Sequence, residues 1–141
     1  MIRLSQKFEF SATHRLHNPA LTDDENIRLF GKCNNAHGHG HNYVLEVTIE
    51  GDPDPVTGMV FDLRELKEII NAEVVDPMDH RFLNHEVPEL AGQIPTTEVI
   101  AATIWKLLEP KIRRGKLDRV RLYETPDLFV DCTADLPGGP Q

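Results

Sequence analysis

The stretch KCNNAHGHGHNYVLEVTIEG, residues 32–51, places three histidines at alternate positions and then alternates apolar with polar residues. Such alternation predicts a half-buried β-strand, in which residues of one parity share a face. His39 and His41 open this strand on the face of its apolar residues, which are Tyr43, Leu45, Val47 and Ile49. Imidazole is a common metal ligand, so the pattern indicates a metal site at the strand entry.

A second alternation, over residues 2–14, predicts another half-buried strand whose apolar parity ends at His14. Two imidazoles at i and i+2, joined by a third from a neighbouring strand, make the three-histidine set that is typical of catalytic zinc. A single histidine of this kind is more often a hydrogen-bonded core residue, but three with matching parity favour metal. We therefore expect His14, His39 and His41 to bind Zn²⁺, although spacing alone leaves His37 as an alternative partner of His39.

Length and composition predict one soluble domain. The chain has 141 residues, of which 40% are hydrophobic, and we expect residues 1–133 to form the domain and the breaker-rich 134–141 to be a flexible tail. A net charge of −8 argues against nucleic acid or an anionic membrane as a partner. No apolar run has the length of a membrane span, and the N-terminus lacks an apolar signal core, so we expect a cytoplasmic protein.

The rest of the chain predicts an α+β fold. Residues 59–62 are predicted to form a short strand, Asp62 to cap a helix, Pro95 and Thr96-Thr97 to open a second helix, and residues 118–132 to form a hairpin. Residues 18–32 have no clear period and are interpreted as a long connection. Strands and helices in separate runs favour an antiparallel sheet with helices on one face.

Cys33 and the pair Asp79-His80 are candidates for proton transfer. Cys33 lies in the polar turn GKCNN beside Lys32, which suits a base or nucleophile better than the small buried hydrophobe that free cysteine often is. Asp79 can hold His80 in the tautomer that proton transfer requires. Taken alone, however, Asp-His is more often a surface dipeptide.

Glu124 has the parity of the apolar residues Val120 and Leu122, and a carboxylate facing a core needs a partner. The partner is either Arg119 or Arg121, or the guanidine-like edge of a ligand that donates two parallel N–H bonds. Glu98 follows Thr96-Thr97 at a helix start, where an acid is favoured by the helix dipole.

These motifs together resemble the 6-pyruvoyl-tetrahydropterin synthase family. The resemblance runs through FSATHRL, LFGKCNNAHGHGHNY, DPVTGMVFDL, DPMDHRFLN, PTTE and RLYET, and so covers nearly the whole chain. It implies the tunnelling fold or T-fold, an antiparallel four-stranded sheet backed by two helices. It also implies a homohexamer with active sites between subunits.

The resemblance assigns roles to the candidate residues. His14, His39 and His41 would be the zinc ligands, Cys33 the base, and Asp79 and His80 its partners in proton transfer. Glu124 would anchor a pterin ring, and the pocket lining would comprise Thr96, Thr97 and Glu98.

The family holds two activities on 7,8-dihydroneopterin triphosphate. One eliminates triphosphate to give 6-pyruvoyl-tetrahydropterin, and the other, 6-carboxy-5,6,7,8-tetrahydropterin synthase of queuosine biosynthesis, cleaves the side chain. The five residues between Cys33 and His39 resemble the pyruvoyl type, which we expect here. A non-catalytic zinc or pterin-binding module is a further alternative. The cations that meet the triphosphate are left open between KIRRGK, residues 111–116, and the pair Arg15 and Lys32.

Overall fold

The computed structural model describes residues 1–134. Its strands are β1 (Ile2–His14), β2 (His39–Gly51), β3 (Arg81–Phe82), β4 (Lys116–Thr125) and β5 (Leu128–Thr133). Its α-helices are α1 (Asp23–Phe30), α2 (Leu63–Ile70), α3 (Asp76–Met78), α4 (Leu83–Glu86) and α5 (Thr97–Leu108). A π-helical turn, Asn71–Val75, joins α2 to α3. No helix in the described part of the chain is long and apolar enough to cross a membrane.

The strands form one sheet in the order β3-β1-β2-β4-β5. β1 and β2 pair antiparallel over their whole length, from Ile2 opposite Gly51 to His14 opposite His39. β2 pairs with β4, and β4 with β5, also antiparallel. The short β3 lies parallel to β1 beside Ala12 and Thr13. The α+β prediction is therefore confirmed, but the sheet is five-stranded and mixed rather than four-stranded and antiparallel.

The core lies between one face of the sheet and the helices. Inward side chains of β1, β2 and β4 pack with the buried residues of α2 and α5 in a single hydrophobic cluster. Trp105, Tyr43, Leu66 and Ile104 are among its largest fully buried side chains. The opposite face of the sheet carries the polar parity of each strand, as the alternation predicted.

Residues 18–32 contain a helix that the absence of hydrophobic periodicity concealed. Thr22 caps α1 and forms a reciprocal capping box with Glu25. The one buried residue of α1 is polar: the Asn26 side chain accepts from the N–H of Asn18 and donates to the carbonyls of Asn18 and Thr22. The capping box and the hydrogen bonds of the Asn26 side chain thus stabilise this helix without a periodic apolar face. The interpretation of residues 18–32 as a long connection was therefore wrong.

The predicted strand at residues 59–62 is also absent. Val60 and Phe61 are buried in the core, but the Met59 carbonyl accepts from the N–H of Asp54 within the preceding turn. The segment therefore buries its apolar side chains in the core without forming a strand of the sheet. The other short elements, α3, β3 and α4, occupy the loop that precedes α5.

Candidate active site

The three histidines predicted as ligands meet at one end of the sheet. His14 ends β1 and His39 begins β2, and the register places these two residues directly opposite each other. His41 lies two residues further along β2, opposite Ala12. All three lie on the helix-covered face, because they share the parity of Phe10, Ala12 and Tyr43.

The nitrogen atoms converge closely enough to share one ion. His14 Nε2 lies 3.0 Å from His39 Nε2, and His41 Nε2 lies 3.0 Å from Glu124 Oε1. One ligand atom from each of these four residues falls within 4.8 Å of the other three. Zinc bonds of about 2.0–2.1 Å in a tetrahedron separate the ligand atoms by roughly 3.3 Å, so two opposite edges already approach that geometry.

His14 is held in the tautomer that a metal ligand needs. Its side chain is fully buried, and Nδ1 donates to the Pro95 carbonyl at 2.8 Å, which leaves the lone pair on Nε2 facing the cluster. The Tyr43 hydroxyl lies 3.3 Å from the same Nδ1. Burial, followed by the charges of His39 and His41, lowers the pKa of His14, so its imidazole is neutral near pH 7. Neutral imidazole is the form that binds metal.

The donor set fits a metal ion. His39 Nδ1 and His41 Nε2 are buried without a hydrogen-bond partner among the described residues. Although His41 Nε2 is close to Glu124, the two atoms are not aligned for a hydrogen bond. A buried unpartnered nitrogen is costly, and an ion at the centre of the cluster would satisfy His41 Nε2 directly. His37 lies outside the cluster and is exposed in a turn, where its backbone N–H donates to Asn35 Oδ1.

Glu124 lies on the face of the histidines, as its shared parity with Val120 and Leu122 predicted, and an irregularity in β4 falls at this position. Tyr123 pairs with Phe129 and Thr125 with Leu128, so Glu124 is the extra residue of a β-bulge. Bulges are common next to active sites. The Thr97 hydroxyl donates to Glu124 Oε2, and the other oxygen, Oε1, faces His41.

The ion pairs considered for Glu124 do not form. Arg119 donates to Glu46 at 2.8 Å, and Arg121 pairs with Asp131 at 2.7 Å. Both arginines lie on the face of the sheet opposite to the histidines. The groups that meet the Glu124 carboxylate within this chain are the Thr97 hydroxyl and His41, not an arginine.

The predicted pocket residues at the start of α5 occupy three different environments. Thr97 is buried and contacts Glu124, whereas Thr96 caps the helix by accepting from the N–H of Val99. Glu98 is exposed in the first helical turn. Of these three, Thr97 is the residue that hydrogen-bonds to the histidine–glutamate cluster in the described structure.

Cys33 lies beside the cluster rather than within it. It is half-buried in the 3₁₀ turn Gly31–Asn34, and the Leu16 N–H donates to its carbonyl at 2.9 Å. A cleft of about 800 Å³ is lined by Cys33 together with His39, Arg15 and Lys32. The thiol and one predicted zinc ligand thus face the same space.

Asp79 and His80 form the predicted pair, but on the other face of the sheet. Asp79 Oδ1 lies 3.0 Å from His80 Nδ1 and accepts from the Ser11 N–H at 2.9 Å. That N–H, then His80, hold the pKa of Asp79 below its usual value. His80 has a positive φ of 61°, its N–H donates to the Ser11 carbonyl, and its side chain is 83% exposed.

Ser11 and Asn42, which help line the cavities beside this pair, have the parity opposite to that of the histidines, but the cavity next to His80 is also lined by His41. Neither Asp79 nor His80 belongs to the group of converging ligand atoms formed by His14, His39, His41 and Glu124. Sequence reasoning placed the pair in a loop but carried no signal for the face on which it would lie. It also missed Tyr43 and the Pro95 carbonyl, because hydrogen bonds to buried backbone have no sequence motif.

Fold and site together define a class: α+β domains in which two adjacent antiparallel strands present three histidines to a cleft that also contains a cysteine. Residues 3–135 match the family model described as 6-pyruvoyl tetrahydropterin synthase. The chain belongs to this family, as the resemblance indicated, and is an enzyme of its lyase class.

Individual relatives agree. The human 6-pyruvoyl tetrahydrobiopterin synthase is 44% identical over 128 residues, which cover 91% of this chain and 88% of the human protein. A 6-carboxy-5,6,7,8-tetrahydropterin synthase of Haemophilus influenzae is 31% identical over 151 residues, covering 93% and 98%. The structure of Caenorhabditis elegans 6-pyruvoyl tetrahydropterin synthase superposes with a TM-score of 0.90 at 38% identity, covering 95% and 96%. The T-fold prediction is thereby confirmed.

Proposed function

We propose that this chain is a zinc-dependent lyase that converts 7,8-dihydroneopterin triphosphate into 6-pyruvoyl tetrahydropterin and triphosphate. The observation that carries the proposal is the convergence of three imidazoles and Glu124 beside a cleft lined by Cys33. The 44% identity to a pyruvoyl enzyme supports this activity over the carboxy-forming one.

His14, His39 and His41 would hold the zinc ion. When bound, zinc supplies a Lewis acid that lowers the pKa of the substrate's side-chain hydroxyls and acidifies the neighbouring C–H bonds. The hydrogen bond from His14 Nδ1 to Pro95 would fix one ligand in orientation. The absence of Cys33 from the ligand group supports its availability for chemistry.

Cys33 as thiolate would remove a proton from a side-chain carbon of the substrate, since it shares the cleft with His39. His80, oriented by Asp79, would return a proton at a later step. The ring gains the two hydrogens and two electrons that the side chain loses, so the conversion requires no external reductant.

Glu124 would orient the pterin. A carboxylate accepts two parallel N–H bonds from the 2-amino and N3 edge of the ring. The Thr97 hydroxyl restrains one oxygen of this carboxylate, which limits the rotamers available to it. Thr96 and Glu98, which lie at the same helix start, would line the pocket without direct contact to Glu124.

The position of Asp79-His80 on the other face supports an active site shared between subunits of a homohexamer. In such an assembly the pair of one chain would face the cleft of its neighbour. The exposure of His80 leaves it available for that contact.

Product identification tests the proposal. Zinc-loaded protein is incubated with 7,8-dihydroneopterin triphosphate, and the products are identified by mass. The pyruvoyl pterin with triphosphate is expected. The carboxy pterin with acetaldehyde would instead assign the second activity, which the relative from Haemophilus influenzae represents at 31% identity. Unchanged substrate would favour a non-catalytic zinc or pterin-binding module.

A further inference from the structure

The triphosphate of the proposed substrate is strongly anionic, whereas the chain carries a net charge of −8. Its recognition therefore requires local cations. Most structured arginines are already paired: carboxylates lie within 4.0 Å of Arg3, Arg81, Arg114, Arg119 and Arg121. Within residues 1–134, Arg15 and Lys32 form no such pair.

Arg15 is held rigidly even though it lacks a carboxylate partner. Its backbone N–H donates to Asn84 Oδ1 at 2.8 Å, and its carbonyl accepts from Asn84 Nδ2 at 2.8 Å. Its Nε donates to the Asn34 carbonyl at 2.8 Å. Asn34 in turn donates to the Leu16 carbonyl, which ties the two segments together.

These contacts leave both terminal amino groups of the Arg15 guanidinium free of partners among the described residues. A planar guanidinium that is fixed in place presents parallel N–H groups to phosphate oxygens with little further loss of entropy. The unpaired and preorganised state of Arg15 is therefore what an anion site requires.

Arg15 and Lys32 line the same cleft as Cys33 and His39. Asp23 is the acidic residue in that lining, at the beginning of α1. The cations thus face the space in which the proposed base and a proposed zinc ligand also lie. A substrate side chain that begins at the metal and passes Cys33 would extend towards Arg15 and Lys32.

The alternative cations, KIRRGK at 111–116, lie at the other end of the sheet. In the β2–β4 register, Lys116 lies opposite Glu50, which is nine residues after His41 on β2. At about 3.3 Å per residue, Lys116 and His41 are therefore separated by roughly 30 Å along the sheet. Lys111 lies 3.6 Å from Glu73, and Arg114 pairs with Asp54. Within one chain, this segment is too far from the histidine cluster for one substrate to contact both.

We propose that Arg15 and Lys32 form the triphosphate subsite of the cleft, an inference that rests on the proposed function. The two cations neutralise part of the phosphate charge on binding. When the carbon–oxygen bond to triphosphate breaks, the oxygen keeps the bonding electron pair, and the same cations stabilise the anion that departs.

Paired ligands test the subsite separately from the chemistry. Neopterin triphosphate, the oxidised form of the substrate, and neopterin are titrated against zinc-loaded protein, and binding is followed by pterin fluorescence polarisation. The variants are Arg15→Ala and Lys32→Ala. Arg113→Ala serves as the matched control, because Arg113 is an exposed cation of the remote segment.

The measured quantity is the ratio of the two affinities, triphosphate over neopterin. Loss of one charge-assisted contact should reduce this ratio by roughly tenfold to a hundredfold in each variant, while Arg113→Ala leaves it unchanged. The zinc content and the thermal unfolding temperature of Arg15→Ala show whether this variant is correctly folded. Lys32 is exposed, so Lys32→Ala tests the proposal independently of folding.

An unchanged ratio in Lys32→Ala and in a folded Arg15→Ala would overturn the subsite, as would an equal loss of both ligands. If the wild-type protein bound neither pterin, the proposed substrate would be wrong, and both proposals would fall together. Preference for triphosphate that is lost only in Arg113→Ala would assign the role to residues 111–116.

Discussion

The two faces of the sheet hold their histidines in opposite ways. On the helix-covered face, His14 is fully buried and its ring is fixed by the Pro95 carbonyl. On the other face, His80 is 83% exposed, and its Nδ1 lies 3.0 Å from Asp79 Oδ1. A metal ligand needs a rigid position, whereas a group that serves a neighbouring subunit needs access. Under the proposed function, the difference means that one chain would supply the metal ligands, whereas the groups for proton transfer would come from two chains.

Mixed oligomers give the largest expected effect. Cys33→Ala and His80→Ala should each lower turnover by roughly 10²–10⁴-fold, because each removes a proton-transfer group, while zinc stays bound. Co-expression of the two variants with different tags, followed by purification of mixed oligomers, should restore activity. With random mixing, about a quarter of sites would combine an intact Cys33 with an intact His80 from a neighbour.

Separately purified variants, combined without subunit exchange, are the control and should stay inactive. If mixed oligomers also remained at the level of the single variants, both groups would have to come from one chain. The contrast between the two faces would then have no functional meaning.

Tyr43→Phe should have an intermediate effect, confined to the helix-covered face. The substitution removes the hydroxyl that lies 3.3 Å from His14 Nδ1. We expect zinc affinity to fall by about tenfold, the lower end of the range for such outer contacts, because the Pro95 hydrogen bond remains. Competition with a chromogenic chelator at fixed pH measures the change.

Tyr123→Phe provides the matched control, since Tyr123 packs against Phe129 on the opposite face. Its zinc affinity should equal that of the wild type. Equal affinities in Tyr43→Phe and the wild type would show that Pro95 alone positions His14.

Acid titration of Asp79 should give the smallest effect. The pKa of Asp79 is lowered in the folded protein, chiefly by the Ser11 N–H. Folding then gains stability from Asp79 above its unfolded value near 3.8, and this gain is lost as the pH falls through the lower folded pKa. Urea unfolding of metal-free wild type and Asp79→Asn, from pH 7 to pH 2, should therefore show a difference that shrinks only at the acid end.

A difference of constant size over this range would show that the Asp79 carboxylate charge makes no contribution. Glu25→Gln is a useful comparison, because the Glu25 pKa is also lowered by a backbone hydrogen bond but within the distant α1 capping box.

Sequence predicted well wherever the signal was local. Alternation located β1, β2 and the β4–β5 hairpin, and caps located α5. It failed for α1, whose single buried side chain is Asn26, and for residues 59–62, whose apolar side chains are buried outside the sheet. In α1 a helix forms with almost no apolar burial, and at residues 59–62 apolar side chains are buried without a strand. The hydrophobic pattern therefore does not predict the secondary structure of either segment.

The sequence by itself determined that His14, His39 and His41 share a face with the core, because the two-residue period of a strand is a local property. Only tertiary structure decided that His14 lies opposite His39, that Glu124 Oε1 comes within 3.0 Å of His41 Nε2, and that Asp79-His80 lies on the other face. Register, bulges and the packing of loops depend on contacts between residues far apart in the chain. The interaction energies that set them arise between two segments, so they cannot be predicted from either segment alone.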